Sequence, residues 1–312
     1  MEKKLILWGA GLLGKQALRA VEMFSDSDVL FGDNDNNKLA TQYCGKTVVG
    51  IYDVVSMFQR EQIEMIVLTT RYWEEVFIQL CSYGITKEII KIFNGVNSKI
   101  VSFTDMYILR GNSQDGEDLF LKQIFRGKNE GVYVDVGANH PCRFSNTWWA
   151  YQRGWRGINV EPNIKNFNLL EIFRSEDINV NCGIANQENE IEYYEFRESA
   201  LNTFCKEDAE IIGDILNVRK VPVCSLSKIL EKYSVFDIDF MDIDVEGMEM
   251  EVLTSIKWEE MCIRFILLEQ RGMNLKEIIQ SEEYIFLANQ GYEAINKYNR
   301  TVIYEKKSKH EK

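Results

Sequence analysis

The sequence predicts an α/β protein of two parallel-sheet domains: a Rossmann-like domain over residues 1–98, and over residues 99–312 a second doubly wound sheet with a reversed C-terminal strand. Three observations carry this. A G-x-G-x-x-G turn, Gly9-Ala-Gly11-Leu-Leu-Gly14, stands between a strand-like and a helix-like run. Two β-branched runs, Gly131-Val-Tyr-Val-Asp-Val-Gly-Ala-Asn-His140 and Arg156-Gly-Ile-Asn-Val-Glu161-Pro, each end in an acid or a glycine turn, as parallel strands do where they deliver their carboxyl ends to a ligand. Near the C-terminus, Tyr292 to Lys297 and Thr301 to Tyr304 flank a tight Tyr298-Asn-Arg300 turn and read as a hairpin.

The bounds agree. A chain of 312 residues, 46% hydrophobic with three prolines, is long enough for two full cores. A net charge of −12 excludes a phosphate backbone as the main partner, because nucleic-acid binding rests on clustered Lys and Arg. The basic tail Lys306-Lys-Ser-Lys-His-Glu-Lys312 reads as a solvated terminus. Seven scattered cysteines without a C-x-x-C indicate neither a disulfide framework nor a zinc site, which points to a reducing cytoplasm. No apolar run reaches the 18 or so residues a spanning helix requires, and the glycines after Leu5-Ile-Leu-Trp8 argue against a signal peptide.

In chain order, residues 4 to 9 form a strand, and the glycine turn opens a helix with Leu13, Ala17, Ala20, Val21 and Phe24 at helical spacing. A strand over Val29 to Phe31 ends at Gly32-Asp33-Asn-Asp35, an acid roughly twenty positions after the turn, as in dinucleotide sites. Gly9, Gly11, Gly14 and Asp33 are therefore the candidate nucleotide site of this domain. Strands over 65–69 and 89–93 enclose a helix from Trp73 to Tyr83, with Gly84 as its stop. Asn94-Gly-Val-Asn-Ser98 is the expected linker.

In the second domain, Glu117 and Asp118 open an amphipathic helix, where acids suit the N-terminal dipole. Val132, Val134 and Val136 form a strand closed by Asp135, and Gly137 with Ala138 lets the backbone turn tightly. A helix carrying Phe144, Trp148 and Tyr151 at i, i+4, i+7 follows, its aromatics expected in the core. Glu161, at the tip of the Ile158 to Val160 strand, is placed to accept hydrogen bonds from both hydroxyls of a ribose. Pro162-Asn163 opens the next helix, and Ile178 to Ile184 is a third strand whose tip, including Gly183, is the expected adenine side.

The fourth strand, Phe240-Met-Asp-Ile-Asp-Val-Glu-Gly247, alternates so that Asp242, Asp244 and Glu246 project to one side. Three unpaired acids inside a buried sheet would cost several kcal/mol each, so they must sit where the strand emerges. Phe265-Ile-Leu-Leu-Glu269 brings a fourth acid to the same edge.

Two resemblances complete the reading. Gly9-Ala-Gly11, Asp33-Asn-Asp35 and Gly45-Lys-Thr-Val-Val-Gly50 resemble the N-terminal nucleotide-sugar-binding domain of bacterial sugar acyltransferases. Ser113-Gln-Asp-Gly-Glu-Asp118, Val134-Asp-Val-Gly-Ala-Asn139, Gly154-Trp-Arg-Gly-Ile-Asn-Val-Glu-Pro162 and Ile243-Asp-Val-Glu-Gly247 resemble, in order and spacing, the FkbM-type S-adenosylmethionine-dependent methyltransferases. That resemblance implies a class I methyltransferase sheet, S-adenosyl-L-methionine as cofactor, and O-methylation of a hydroxyl on a sugar, glycan or other natural product. The implied cofactor residues are Asp135, Gly137, Ala138, Asn139, Glu161, Pro162, Gly183 and Asp242. His140, Asp244 and Glu246 are the candidates for the acceptor side, with His140 ranked first as general base because an imidazole titrates near neutrality. Where the family pattern has a lysine, this chain has Asp242. That departure points to a divalent metal or a cationic substrate group, with Asp242, Asp244 and Glu269 as the oxygen donors. Two other classes remain open: a non-catalytic nucleotide-sugar-binding protein, and a nicotinamide-dependent oxidoreductase using the N-terminal turn.

Overall fold

The computed structural model describes residues 3–22, 28–95, 98–106 and 112–307. Phe24 and the tail beyond Lys307 lie outside the described residues, as do Val96 and Asn97 of the expected linker. The chain divides into two compact units, Met1–Ile108 and Leu109–Lys312.

In the first unit, β1 (Lys4–Trp8), α1 (Leu12–Val21), β2 (Asp28–Gly32), β3 (Gln42–Tyr43), β4 (Lys46–Val49), α2 (Ile51–Gln59), β5 (Ile63–Leu68), α3 (Trp73–Ser82), β6 (Ile90–Asn94) and β7 (Lys99–Val101) follow one another. The sheet order is β3-β4-β2-β1-β5-β6-β7. Its centre is parallel, the Rossmann-like arrangement, because Leu5, Leu7, Val29, Val67 and Phe31 are buried there and helices cover the faces. The division differs from the expected boundary after residue 98, since β7 pairs antiparallel with β6 and so belongs to the first unit.

In the second unit, α4 (Glu117–Ile124), β8 (Val132–Val136), α5 (Trp148–Gln152), β9 (Arg156–Val160), α6 (Ile164–Phe173) and β10 (Ile178–Val180) lead into a small sheet of β11 (Gly183–Ile184), β12 (Asn189–Glu195) and β13 (Asn217–Cys224), with α7 (Lys206–Ile212) between the last two strands. Then come α8 (Leu226–Lys232), β14 (Asp237–Ile243), α9 (Glu249–Thr254), β15 (Cys262–Glu269), α10 (Leu275–Ile278), α11 (Glu282–Asn289), β16 (Tyr292–Lys297) and β17 (Thr301–Lys306). The main sheet runs β10-β9-β8-β14-β15-β17-β16, with β17 antiparallel to its neighbours. The reversed terminal strand expected from the hairpin pattern is thus present.

Both faces of this sheet are buried. Val134, Val136, Ile158, Val160, Met241 and Ile243 fill one side, and Tyr133, Phe240 and Phe265 join Trp149, Trp155 and Phe125 on the other. Each fully buried side chain of this kind stabilises by about 1.5 to 3 kcal/mol, so the strand tips stand on a rigid base.

Two expected elements differ. The third strand is broken, because Asn181 donates to the carbonyls of Glu161 and Pro162 (2.7 and 3.0 Å) and Cys182 turns the chain out of the ladder into the small sheet. Phe144 is not on a helix: it is 41% exposed with φ 56°, and α5 starts only at Trp148. No helix among the described residues is long and apolar enough to cross a membrane.

Candidate functional site

The carboxyl ends of β8, β9 and β14 meet at a cavity of about 530 Å³. Backbone bonds hold the three tips together: the N–H groups of Gly137 and Ala138 donate to the Val160 carbonyl (3.0 and 3.1 Å), and that of Asp244 donates to Val136 (3.0 Å). Gly137 adopts φ 84°, and a Cβ there would lie 1.8 Å from the Asp244 carbonyl oxygen. Only glycine fits that position.

Glu161, 3% exposed, points into this space. Its two carboxylate oxygens accept the N–H groups of Asn139 and Asn163, each at 2.6 Å. Each oxygen retains acceptor capacity for a further donor. Burial pushes its carboxyl up to about 8, against the pull of those two backbone bonds. Asn139, with φ 49°, accepts from Asn166 and Ser199 (2.7 and 2.8 Å), which pins the turn to α6 and to the far wall.

Asp135 is buried behind the turn at the edge of the cavity. It accepts from the Thr147 hydroxyl and faces Arg174 at 3.8 Å. Arg174 is fully buried, and all five of its N–H groups are used: two on the Pro141 carbonyl, and one each on Ser145, Thr147 and Asn159. Burial pushes the Asp135 carboxyl upward and the guanidinium opposes it. Asp242 sits opposite Asp135 in the parallel register and accepts from the Asn146 amide (3.0 and 3.2 Å). Burial, with Asp135 adding repulsion, raises it well above the carboxylate range.

Beyond the end of β14 the acids change company. Asp244, Glu246 and Glu269 bring carboxylate oxygens within 4.8 Å of one another. Arg271 donates to Glu246 and, at 2.6 Å, to Glu269. Around Asp244, enclosure, then Glu269 and Glu246, push the carboxyl well above its ordinary value. Glu246 is raised to about 8 by burial and Glu269, with Arg271 opposing.

Residues 135–294, just over half the chain, match the methyltransferase FkbM domain. The chain belongs to the FkbM methyltransferase family. The chain is similar to several solved structures, three of which are as follows. One is methyltransferase FkbM from Methylobacillus flagellatus KT, with 13% identity over 97% of this chain and 90% of that one and a TM-score of 0.36. Another is precorrin-6y C5,15-methyltransferase from Geobacter metallireducens GS-15, with 13% identity over 65% and 95% and a TM-score of 0.32. The third is UDP-D-quinovosamine 4-dehydrogenase from Vibrio fischeri, with 19% identity over 34% and 98% and a TM-score of 0.27. No curated protein matches the chain significantly.

In this FkbM-family methyltransferase, Asp135, Gly137, Ala138, Asn139, Glu161, Pro162, Gly183, Asp242, Asp244 and Glu246 all border the one cavity. His140 does not. It is 3% exposed, and its Nδ1 accepts the N–H groups of Cys142 and Arg143 (3.2 and 2.9 Å), which fixes the proton on Nε2. The lone pair of Nδ1 is thus engaged by the loop that follows it rather than turned to the cavity. The oxygen-donor set also differs from expectation: Asp242 belongs with Asp135 and Asn146, and Glu246 takes its place beside Asp244 and Glu269. Arg271 is the cation paired with Glu246 and Glu269 at that acidic group.

Sequence reading missed Arg174, Arg271 and the wall from the small sheet, where Tyr193, Asn202 and Phe204 line the cavity. Only Arg271 left a signal, as the basic residue just after a strand-terminal acid. In the first unit, Gly9 (φ 122°), Gly14 and Asp33 meet at the β1 turn, where a Cβ on Gly14 would lie 2.2 Å from the Gly9 carbonyl. Asp33 accepts from Ala10 N–H, Asp35 N–H and Lys38, each at 2.9 Å.

Proposed function

We propose that the protein is an S-adenosyl-L-methionine-dependent O-methyltransferase acting on a hydroxyl of a sugar, glycan or related natural product. The observation that carries this is Glu161: a buried carboxylate at a strand tip, steadied by two backbone N–H groups and open to a cavity of nucleoside size. The glycine cradle at Gly137 fits close approach of a ligand to the backbone, and the polar edge of Asn202, 7% exposed, fits the adenine side together with Pro162 and Gly183.

When bound, the cofactor supplies the activated sulfonium methyl group. Glu161 would hold the ribose hydroxyls, and Gly137, Ala138 and Asn139 would line the turn against it. Asp135 would position that turn through Thr147 and Arg174 rather than touch the ligand, and Asp242 would support it from the next strand. Asp244 would take the acceptor hydroxyl proton on its carboxylate; burial, then crowding by Glu269 and Glu246, makes it a stronger base than an ordinary aspartate. Glu246, held by Arg271, would orient the acceptor. A neighbouring cavity of about 360 Å³ shares Leu201, Glu246 and Arg271 with the first and adds Asp208, Glu249, Glu269 and Glu283. Such a wall suits a neutral or cationic acceptor and repels phosphate or carboxylate groups. With Arg271 as counter-charge, no step in this reading is given to a metal.

For the first unit, the reading is a nucleotide or nucleotide-sugar site at Gly9, Gly11, Gly14 and Asp33, since a Cβ on Gly11 would meet nothing within 4 Å and the turn is open there. Calorimetry with S-adenosylhomocysteine, NADH and a UDP-sugar separates the readings. Binding of S-adenosylhomocysteine that is lost on Glu161→Ala supports the methyltransferase site. Tight NADH binding without it would overturn the proposal in favour of an oxidoreductase, and UDP-sugar binding alone in favour of a non-catalytic sensor.

A further inference from the structure

Cys182 and Cys224 face each other at the corner where the chain leaves the main sheet for the small one. Their Sγ atoms are 3.9 Å apart. The parallel pairing of β11 with β13, which sets Ile184 opposite Cys224, and the 3.1 Å bond from Ala185 N–H to the Cys224 carbonyl fix both backbones. Cys182 is 7% exposed and borders the large cavity, whereas Cys224 is only partly buried.

We propose that Cys182 and Cys224 are a reversible thiol–disulfide site on the cavity wall, oxidised by a peroxide, whose closure weakens ligand binding in that cavity. Cys224 is the attacking group: the Cys182 thiol bonded to it brings its own down to about 7, Lys228 and Lys232 assist, and burial and Glu188 oppose. Its thiolate attacks one peroxide oxygen, the O–O bond breaks, and hydroxide leaves, giving the sulfenic acid. The Cys182 thiol then attacks that sulfur, the S–O bond breaks, and water carries off the oxygen and the thiol proton. A disulfide needs the sulfurs at about 2.0 Å, so they must close by nearly 2 Å. Gly183, next to Cys182, packs directly on the Phe204 ring, where a Cβ would lie 2.5 Å from it, so a shift of this segment bears on Phe204. Phe204 lines the same cavity, so the displacement reaches the ligand's wall.

The binding half of this proposal rests on the cofactor reading above; the thiol chemistry does not. The full chain should be treated with hydrogen peroxide, alkylated and mapped by mass spectrometry. Expected are a loss of about 2 Da, a Cys182–Cys224 cross-linked peptide reversed by dithiothreitol, and no cross-link in Cys224→Ser. Calorimetry should then find S-adenosylhomocysteine bound about tenfold more weakly by the oxidised protein, a shift of 1.4 kcal/mol. Peroxide that leaves Cys182 fully alkylatable while Cys224 proceeds to sulfinic acid overturns the proposal. So does a quantitative cross-link with unchanged affinity. If the reduced protein binds no S-adenosylhomocysteine, the cofactor reading fails, and the peptide map alone judges the thiol pair.

Discussion

The two units answer the same problem, an acid at a strand tip beside a glycine turn, in opposite ways. In the first, burial would raise Asp33, but the N–H groups of Asp35 and Ala10 together with Lys38 outweigh it and hold the carboxyl below its usual range. In the second, Asp135, Glu161, Asp242 and Asp244 crowd one edge, and burial outweighs the arginines that oppose it, Arg174 at Asp135 and Arg219 at Glu161, so that every one of the four is pushed up. A satisfied acid is a structural part. An under-compensated one stores an electrostatic demand that a ligand's donors can meet.

The largest effect should come from removing the sealed cation. Arg174→Ala strips Asp135 of its counter-charge and five buried acceptor contacts of their donor, and should cost about 3 to 5 kcal/mol in denaturant unfolding. A loss under about 1 kcal/mol would mean that Arg174 is not the keystone of the turn. Next is Asp244→Asn. Neutralising one member of a crowded acidic group should leave the melting temperature unchanged or higher while turnover falls roughly a hundredfold. A variant that melts far lower but turns over normally would make the acidic edge scaffold.

Third, Glu161→Ala should weaken S-adenosylhomocysteine by about 1.5 to 3 kcal/mol, as expected for hydrogen bonds to a charged group. The sign of its pH dependence follows from the raised value. Below about 8 the free carboxyl is protonated, and a ligand donating two hydroxyls requires it ionised. Affinity should therefore fall as pH drops below 8, by up to about tenfold per unit, and Glu161→Gln should flatten the profile. The smallest effect belongs to the first unit: Asp33→Asn keeps an acceptor and loses only the charge, so it should cost about 1 kcal/mol or less. Because that carboxyl is depressed on folding, its contribution is present at neutral pH and lost only as pH falls through the acid range. A larger cost, or a neutral-pH transition, would erase the contrast between the units.

The parallel strand tips, the reversed last strand and part of the cavity lining were legible because they follow from local pattern. β-branched runs ending in Asp135 and Glu161 specify parallel strand tips, and the Tyr298 to Arg300 turn specifies the reversed last strand. What was not legible depends on contacts between distant segments. Arg174 is an unremarkable residue at the end of α6 until the loop of Pro141 to Thr147 folds over it. For His140, sequence supplies its proximity to the turn but not the two N–H groups that occupy its Nδ1. The acids of β14 alternate in sequence, yet the strand ends at Ile243 and Glu246 swings through φ 52° to reach Arg271.

The missing side chain at Gly137 has a mechanical meaning. With the place of a Cβ already taken by the Asp244 carbonyl oxygen, the glycine turn and the root of that aspartate behave as a single rigid part. A substituent at 137 would wedge the ends of β8 and β14 apart, moving the floor of the cavity and the Asp244 acid on its wall together. Grip on one ligand and aim at the other therefore cannot be tuned separately from this position, and the chain is free to vary its specificity only in the walls around it.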